Sequence, residues 1–327
     1  MNKLNVSSSP HFRTARTTSG IMLDVIIALM PALIAGTAIF GIRALLVTLV
    51  CVASAVLSEF IFNLICKREE TIGDFTAALT GLLLALNVNV NVPLWQCALG
   101  SVFAIIVVKC LFGGLGSNFA NPAVTARVFM LLAFTGAVAP GAAPLIEPLG
   151  DKVVIGTSAT GATVDVISGA TPLELIKWDS ALPSLTDMFL GIHGGAIGET
   201  CTLALIIGFI YLVVRRVIHF ETPLIFVGTV FVLAFIAEGS ALLALYQILS
   251  GGLVLGAVFM ATDYVTTPIT RTGKMIFAFG CGLITFLIRY FGSYAEGVSF
   301  AILFMNILSP YIEKWTAPRA FGGAKND

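Results

Sequence analysis

Ten windows of strongly apolar sequence, five before and five after one long polar stretch, constrain this chain more than any other feature. A bilayer core offers no water to backbone amides, so an apolar run of about 20 residues that crosses it must be helical. The windows fall at residues 21–40, 44–66, 75–88, 94–112 and 124–138, then at 196–214, 223–237, 244–260, 275–290 and 298–312. With 57% hydrophobic and 11% charged residues, against about 25% charged in soluble domains, the chain cannot hide its apolar surface inside a water-soluble globule. The expected fold class is an all-α polytopic membrane protein of about ten transmembrane helices.

An odd number of spans per half makes the halves insert in opposite senses, which is how inverted repeats arise. The third window of each half is interrupted. Thr80-Gly81 and the Asn87, Asn89, Asn91 tail precede Pro93; Gly251-Gly252, Gly256 and Ala261-Thr262-Asp263 precede Pro268. Two inverted five-helix repeats with broken third helices, enclosing a central polar pocket, are therefore expected. The corresponding division is a cytoplasmic N-terminal segment at 1–20, a first membrane repeat at 21–139 and an external loop at 140–192. A second repeat at 193–313 and a cytoplasmic tail at 314–327 complete it. For any single glycine, close helix packing is the plainer reason for its presence.

Charge excludes some classes and orients the chain. The 18 basic and 18 acidic residues cancel, so no nucleic-acid partner is expected. His11, His193 and His219 lie too far apart for a local metal motif, and none is expected. Cys51, Cys66, Cys97, Cys110, Cys201 and Cys281 contain no C-x-x-C pair and read as small apolar packing residues. Lys3, Arg13 and Arg16 abut no short apolar core, so the N-terminus does not read as a cleavable signal peptide. With the N-terminus inside, most lysines and arginines fall in inner segments, Lys109 and Arg127 among them. Only Arg43, Lys152, Lys177 and Arg289 fall outside. The long loop is then external.

That loop reads Asp165-Val166-Ile167-Ser168-Gly169-Ala170-Thr171-Pro172-Leu173. It resembles the D-x-x-[ST]-G-A-T signature at which a flavin transferase esterifies FMN phosphate to the final threonine, here Thr171. Gly169 and Ala170 leave the backbone thin, and Pro172 disfavours helix at Thr171. A near match at Thr160-Gly161-Ala162-Thr163 has Thr157 where the pattern needs its aspartate, so Asp165 serves only Thr171. An ordinary Gly/Ser/Thr surface loop would have similar composition.

Three further stretches extend the resemblance along nearly the whole chain: residues 113–123 (GGLGSNFANPA), residues 259–268 (FMATDYVTTP), and 297–301 with 306–310 (GVSFA, NILSP). Together they resemble the RnfD proteins of Rnf ion-translocating electron transport complexes and, more distantly, the NqrB proteins of sodium-translocating NADH:quinone reductases. Tyr264 stands where the family pattern has proline. The resemblance implies a component of a multi-subunit enzyme that passes electrons between ferredoxin and NAD and exports Na+ or H+. It implies residence in a bacterial inner membrane beside the other Rnf-type subunits (the A, B, C, E and G components), of which the G component is external and carries FMN. It implies covalent FMN on Thr171, with Asp165, Ser168, Gly169 and Ala170 as the transferase motif, and a non-covalent riboflavin for which Asn118 and Asn121 mark the expected region. No side chain of this chain is expected to be catalytic.

Charges within apolar windows cost about 2.5–3.5 kcal/mol on insertion scales, so Asp24, Glu59, Asp74 and Asp263 need reasons. On the expected topology all four lie near the inner face, where they would suit ion entry; pairing with neighbours such as Lys67, Arg68 or Lys274 is the structural alternative. Two other functions share this architecture: an inverted-repeat transporter or channel without flavin, and a scaffold within a larger complex. A plain transporter has no reason to carry the Thr171 loop, and a scaffold would keep electron transfer when Thr171 is removed.

Overall fold

The computed structural model describes residues 17–68, 70–138, 141, 142, 144, 168, 169, 171–178, 182–292, 294 and 296–317. Helix α1 (Thr18–Phe40) begins at Thr17, whose hydroxyl accepts from Gly20 N–H at 3.2 Å. It turns into α2 (Ile42–Cys66) through Gly41 alone, at φ 79, a conformation that only glycine adopts without strain. Next come α3 (Thr76–Leu86), α4 (Leu94–Cys110, π-helical from Phe103), α5 (Pro122–Ala133) and the short α6 (Thr135–Val138). The polar stretch contributes β1 (Gly141–Ala142), β2 (Ser168–Gly169), α7 (Pro172–Lys177) and α8 (Leu185–Leu190). The second half is α9 (Thr202–Val214), α10 (Glu221–Glu238), α11 (Ala241–Leu249), α12 (Leu253–Met260, π-helical from Gly256), α13 (Arg271–Phe291) and α14 (Val298–Thr316).

Four helices, α1, α2, α10 and α13, are long and apolar enough to cross a membrane, and α11 with α12 forms a fifth span bent by 67°. The protein is an all-α polytopic membrane protein. Large apolar side chains such as Leu49, Leu64, Ile65, Ile236 and Phe291 stand exposed on the outer helices, where lipid is the solvent that accepts them.

The two halves share one packed centre. Helix α1 packs on α9, α5 on α14, α2 on α3 and α4, and α10 on α11 and α13. At the α1–α9 crossing a Cβ on Gly208 would strike the Ala28 carbonyl; at α2–α3, a Cβ on Gly81 would lie 2.7 Å from the Cys51 carbonyl oxygen. Small residues here let backbones touch, the packing that apolar lipid leaves available.

Both third spans are broken as expected. Eleven residues of α3 rise about 16 Å, half of a bilayer core, and the chain then leaves the helix. Asn89 holds the irregular stretch by accepting from Asn91 and Val92 N–H at 2.8 and 3.2 Å. In α11–α12 the break is Ser250–Gly252, with Gly251 at φ 66.

Some expectations fail. The window at 196–214 is helical only from Thr202, because Ile197 and Gly198 N–H bond the Val88 and Leu86 carbonyls, at 3.1 and 2.8 Å, where α3 has ended. The window at 124–138 is two helices, α5 and α6. Lys109 and Arg127, assigned to inner segments, lie within the helical body: Lys109 is 3% exposed and Arg127 sits mid-α5. Arg289, assigned to the outside, is 5% exposed within α13. Charge counting treats all three as segment-end charges, whereas each has found a buried partner.

Candidate functional site

Two cavities lie at opposite ends of α3 and α12. The termini-side cavity, ≈ 80 Å³, is bordered by Ile21 and Met22 of α1, Thr76 to Leu83 of α3, and Val258 to Val265 at the end of α12. The loop-side cavity, ≈ 490 Å³, is bordered by Asn87 past the end of α3 and Gly251 before α12. The two helices therefore run antiparallel between the cavities, the geometry of an inverted repeat.

Thr171 lines the loop-side cavity. It is extended (φ −72, ψ 152) and caps α7, with Pro172 at the first helical position, where a missing N–H costs nothing. Glu174 N–H donates to Thr171 Oγ1 at 3.4 Å and Thr171 N–H donates to Glu174 Oε2 at 2.8 Å, a reciprocal capping box. Ser168 and Gly169 pair with Ala142 and Gly141, and Ala142 exchanges both backbone hydrogen bonds with Gly195, at 3.2 and 3.1 Å. Leu173, buried, lies against Gly251, and Lys177 Nζ donates to the Gly292 and Tyr294 carbonyls at 2.8 and 2.9 Å. These contacts fasten the threonine to the second repeat. Asp165 and Ala170 lie outside the described residues, as do Thr160 to Thr163; Ser168 and Gly169 are described by backbone alone.

The cavity also holds a charge network that sequence reasoning missed. Arg127 Nη1 donates to Asn87 Oδ1 at 2.6 Å, and Nη2 pairs with Glu296 and, at 3.6 Å, with Glu199 Oε2. Glu199 Oε1 accepts from Ala196 N–H at 3.0 Å, and Glu296 accepts from Gly252 N–H at the start of α12. Arg289 donates to the Gln247 and Ser250 carbonyls. Arg127, Glu199 and Arg289 all fall inside apolar windows, which was the available signal. His193, 5% exposed, faces the same cavity, and burial pushes its imidazole below the ordinary value. Its Nε2 has no hydrogen-bond partner among the described residues.

The carboxylates expected at the other end sort into two kinds. Glu59, 2% exposed, pairs with Lys109 at 2.8 Å and accepts from Thr71 at 2.6 Å; Lys109 also donates to Thr76 at 2.6 Å. Asp24 pairs with Arg215 at 3.1 Å and accepts from Tyr211 at 3.0 Å. The partners are Lys109 and Arg215, not Lys67, Arg68 or Lys274. Asp263 borders the termini-side cavity and accepts from Thr266 at 3.0 Å, while Asp74 closes a short 3-10 turn ahead of α3. Asn118 and Asn121 border the same cavity. Asn121 Oδ1 caps α5, accepting from Ala123 and Val124 N–H at 3.0 and 3.4 Å, whereas Asn118 Oδ1 is buried without a partner among the described residues. Cys51, Cys97, Cys110 and Cys281 are buried among apolar neighbours; Cys66 is exposed.

A model of the NQR2, RnfD, RnfE family matches residues 5–322. The chain is 42% identical to the D component of the Na(+)-translocating ferredoxin:NAD(+) oxidoreductase complex of Acetobacterium woodii, over 99% of this chain and 98% of the relative. It is 38% identical to the D component of the proton-translocating ferredoxin:NAD(+) oxidoreductase complex of Clostridium ljungdahlii, over 98% and 97% of the two chains. To the D component of the ion-translocating oxidoreductase complex of Stutzerimonas stutzeri it is 41% identical, over 92% and 91%. Matches this long make this chain a member of the NQR2, RnfD, RnfE family.

Proposed function

We propose that this chain is the flavin-carrying RnfD component of an ion-translocating ferredoxin:NAD oxidoreductase complex, with FMN esterified through its phosphate to Thr171. The observation that carries the reading is that Thr171 borders a cavity of ≈ 490 Å³, inside the roughly 300–1,000 Å³ range of small-molecule sites. The lining fits a flat, partly polar ring: Leu173, Trp178 and Tyr294 offer apolar surface, and His193 Nε2 is a polar atom without a partner among the described residues. Bound flavin would supply the one- and two-electron chemistry that side chains lack. Thr171 is then a tether, and α7 holds it at the cavity mouth.

The finer parts of the proposal follow the family. The second, non-covalent riboflavin belongs in the termini-side cavity, where Asn118 Oδ1 is the unpartnered acceptor; at ≈ 80 Å³ that cavity must widen to admit a ring. Asp263, with Glu59, Asp24 and Asp74 around the same end, forms the approach for Na+ or H+. The partners are the other Rnf-type components, with the external, FMN-carrying G component beside the Thr171 loop. Residence is the bacterial inner membrane with termini cytoplasmic and the loop external, and the divisions at 1–20, 21–139, 140–192, 193–313 and 314–327 follow from it.

In-gel flavin fluorescence after denaturing electrophoresis tests the reading, on chain expressed with a flavin transferase. Fluorescence is expected in wild type and Thr163→Ala and lost in Thr171→Ala. A dark wild-type band, with the transferase active on a control substrate, overturns the assignment in favour of a transporter without flavin.

A further inference from the structure

The loop-side cavity contains two carboxylates that compete for one guanidinium. Glu296 holds Arg127 in direct contact, while Glu199 Oε2 stands 3.6 Å from it and makes no hydrogen bond among the described residues. Glu199 is 7% exposed and borders the cavity, with Oε2 itself covered, so a proton reaches its carboxylate from the cavity side. The other charged groups described at the site are engaged. Arg289 of α13 gives two N–H groups to the Gln247 and Ser250 carbonyls. Lys177 of α7 gives its ammonium to the Gly292 and Tyr294 carbonyls, and Glu174 accepts from Thr171 N–H. His193, on the same segment as Glu199, turns Nδ1 to the Gly194 carbonyl at 3.0 Å. A buried carboxylate with half its acceptor capacity unmet is costly as an anion and much less so as an acid.

We propose that Glu199 is a proton-exchanging site of the loop-side cavity, loaded when negative charge is placed in that cavity and unloaded when the charge leaves. This rests on the flavin reading for the source of the charge. The balance is simple: hydronium from the aqueous phase at the cavity mouth gives one proton to the Glu199 carboxylate, one O–H bond of hydronium breaks to leave water, one O–H bond forms, and the charge of the site rises by one. Glu296 sets the equilibrium by keeping Arg127 from pairing fully with Glu199.

Infrared pH titration of the purified full chain, in the flavin-free Thr171→Ala background, reads the proton directly. Among the carboxylic-acid carbonyl bands that grow on acidification, one is expected that is missing from the Glu199→Gln spectrum and shifted to lower pH in Glu296→Gln, which frees Arg127 for Glu199. Loss of no band in Glu199→Gln, or no such shift in Glu296→Gln, overturns the site; the second variant decides the matter alone if the first does not fold. Redox titration of flavin-loaded chain at several pH values tests the link to charge: the pH slope of the midpoint potential is expected to flatten in Glu199→Gln, and equal slopes overturn the link. A chain that takes no flavin while keeping the infrared pattern tells against the flavin reading and leaves proton exchange at Glu199 standing.

Discussion

Lys109 of α4 and Glu59 of α2 meet at 2.8 Å with side chains 3% and 2% exposed, a buried ion pair at the edge of the termini-side cavity. Taking one partner away strands a charge in a medium that cannot solvate it, at about 3–5 kcal/mol. Glu59→Gln and Lys109→Met should each lower thermal stability in detergent sharply, and the double variant should recover much of the loss. Additive losses in a thermal-shift series would mean the two residues act separately.

The capping box at Thr171 predicts that flavin loading depends on Glu174. Removing the reciprocal partner in Glu174→Ala costs about 1 kcal/mol of local helix stability and loosens the threonine's setting, since Glu174 Oε2 holds its N–H at 2.8 Å. Reduced fluorescence yield is expected with expression unchanged. Wild-type yield in that variant would show that the transferase needs no preformed cap.

Two glycines provide a matched pair. At Gly208 of α9 a methyl group would strike the Ala28 carbonyl, whereas at Gly228 of α10 nothing lies within 4 Å. Gly208→Ala is expected to destabilise by about 1–3 kcal/mol through overpacking, and Gly228→Ala to be neutral or stabilising by up to about 1 kcal/mol. Unfolding midpoints measured side by side decide it, and equal shifts would contradict the α1–α9 approach.

Burial of His193 predicts an acid limit. The folded protein holds the imidazole below its ordinary value of 6.5, so the unfolded chain binds more protons as pH falls through that value. Stability is complete above about pH 6.5 and declines below it. The pH dependence of the melting temperature should flatten between pH 5 and about 6.5 in His193→Gln. An unchanged profile would place the acid sensitivity elsewhere.

The spans were legible in the sequence because lipid imposes one rule on every residue that faces it. Even the broken third helices announced themselves through Gly251-Gly252 and the asparagines before Pro93. Pairings were not legible. Arg127 falls inside an apolar window, but its partners Asn87, Glu199 and Glu296 come from distant parts of the chain, and they explain why it lies mid-helix. The helix expected from residue 196 was lost for a similar reason: Ile197 and Gly198 find main-chain partners at the end of α3, far away in sequence. Thr171-x-x-Glu174, in contrast, is a local signal, and a capping box could have been read from it directly.

Leu83 borders the termini-side cavity and Asn87, one helical turn later, borders the other; Asn87 Nδ2 bonds the Leu83 carbonyl at 2.7 Å. The wall between the two cups along α3 is therefore on the order of 6 Å of helix rise, and on the α12 side it is apolar, with Leu253 and Leu255 fully buried. Such a wall is a thin dielectric, with a cavity bordered by charged groups at each end. A charge set in one cavity is felt in the other with little screening, so the two ends can sense each other's electrical state without any helix having to move.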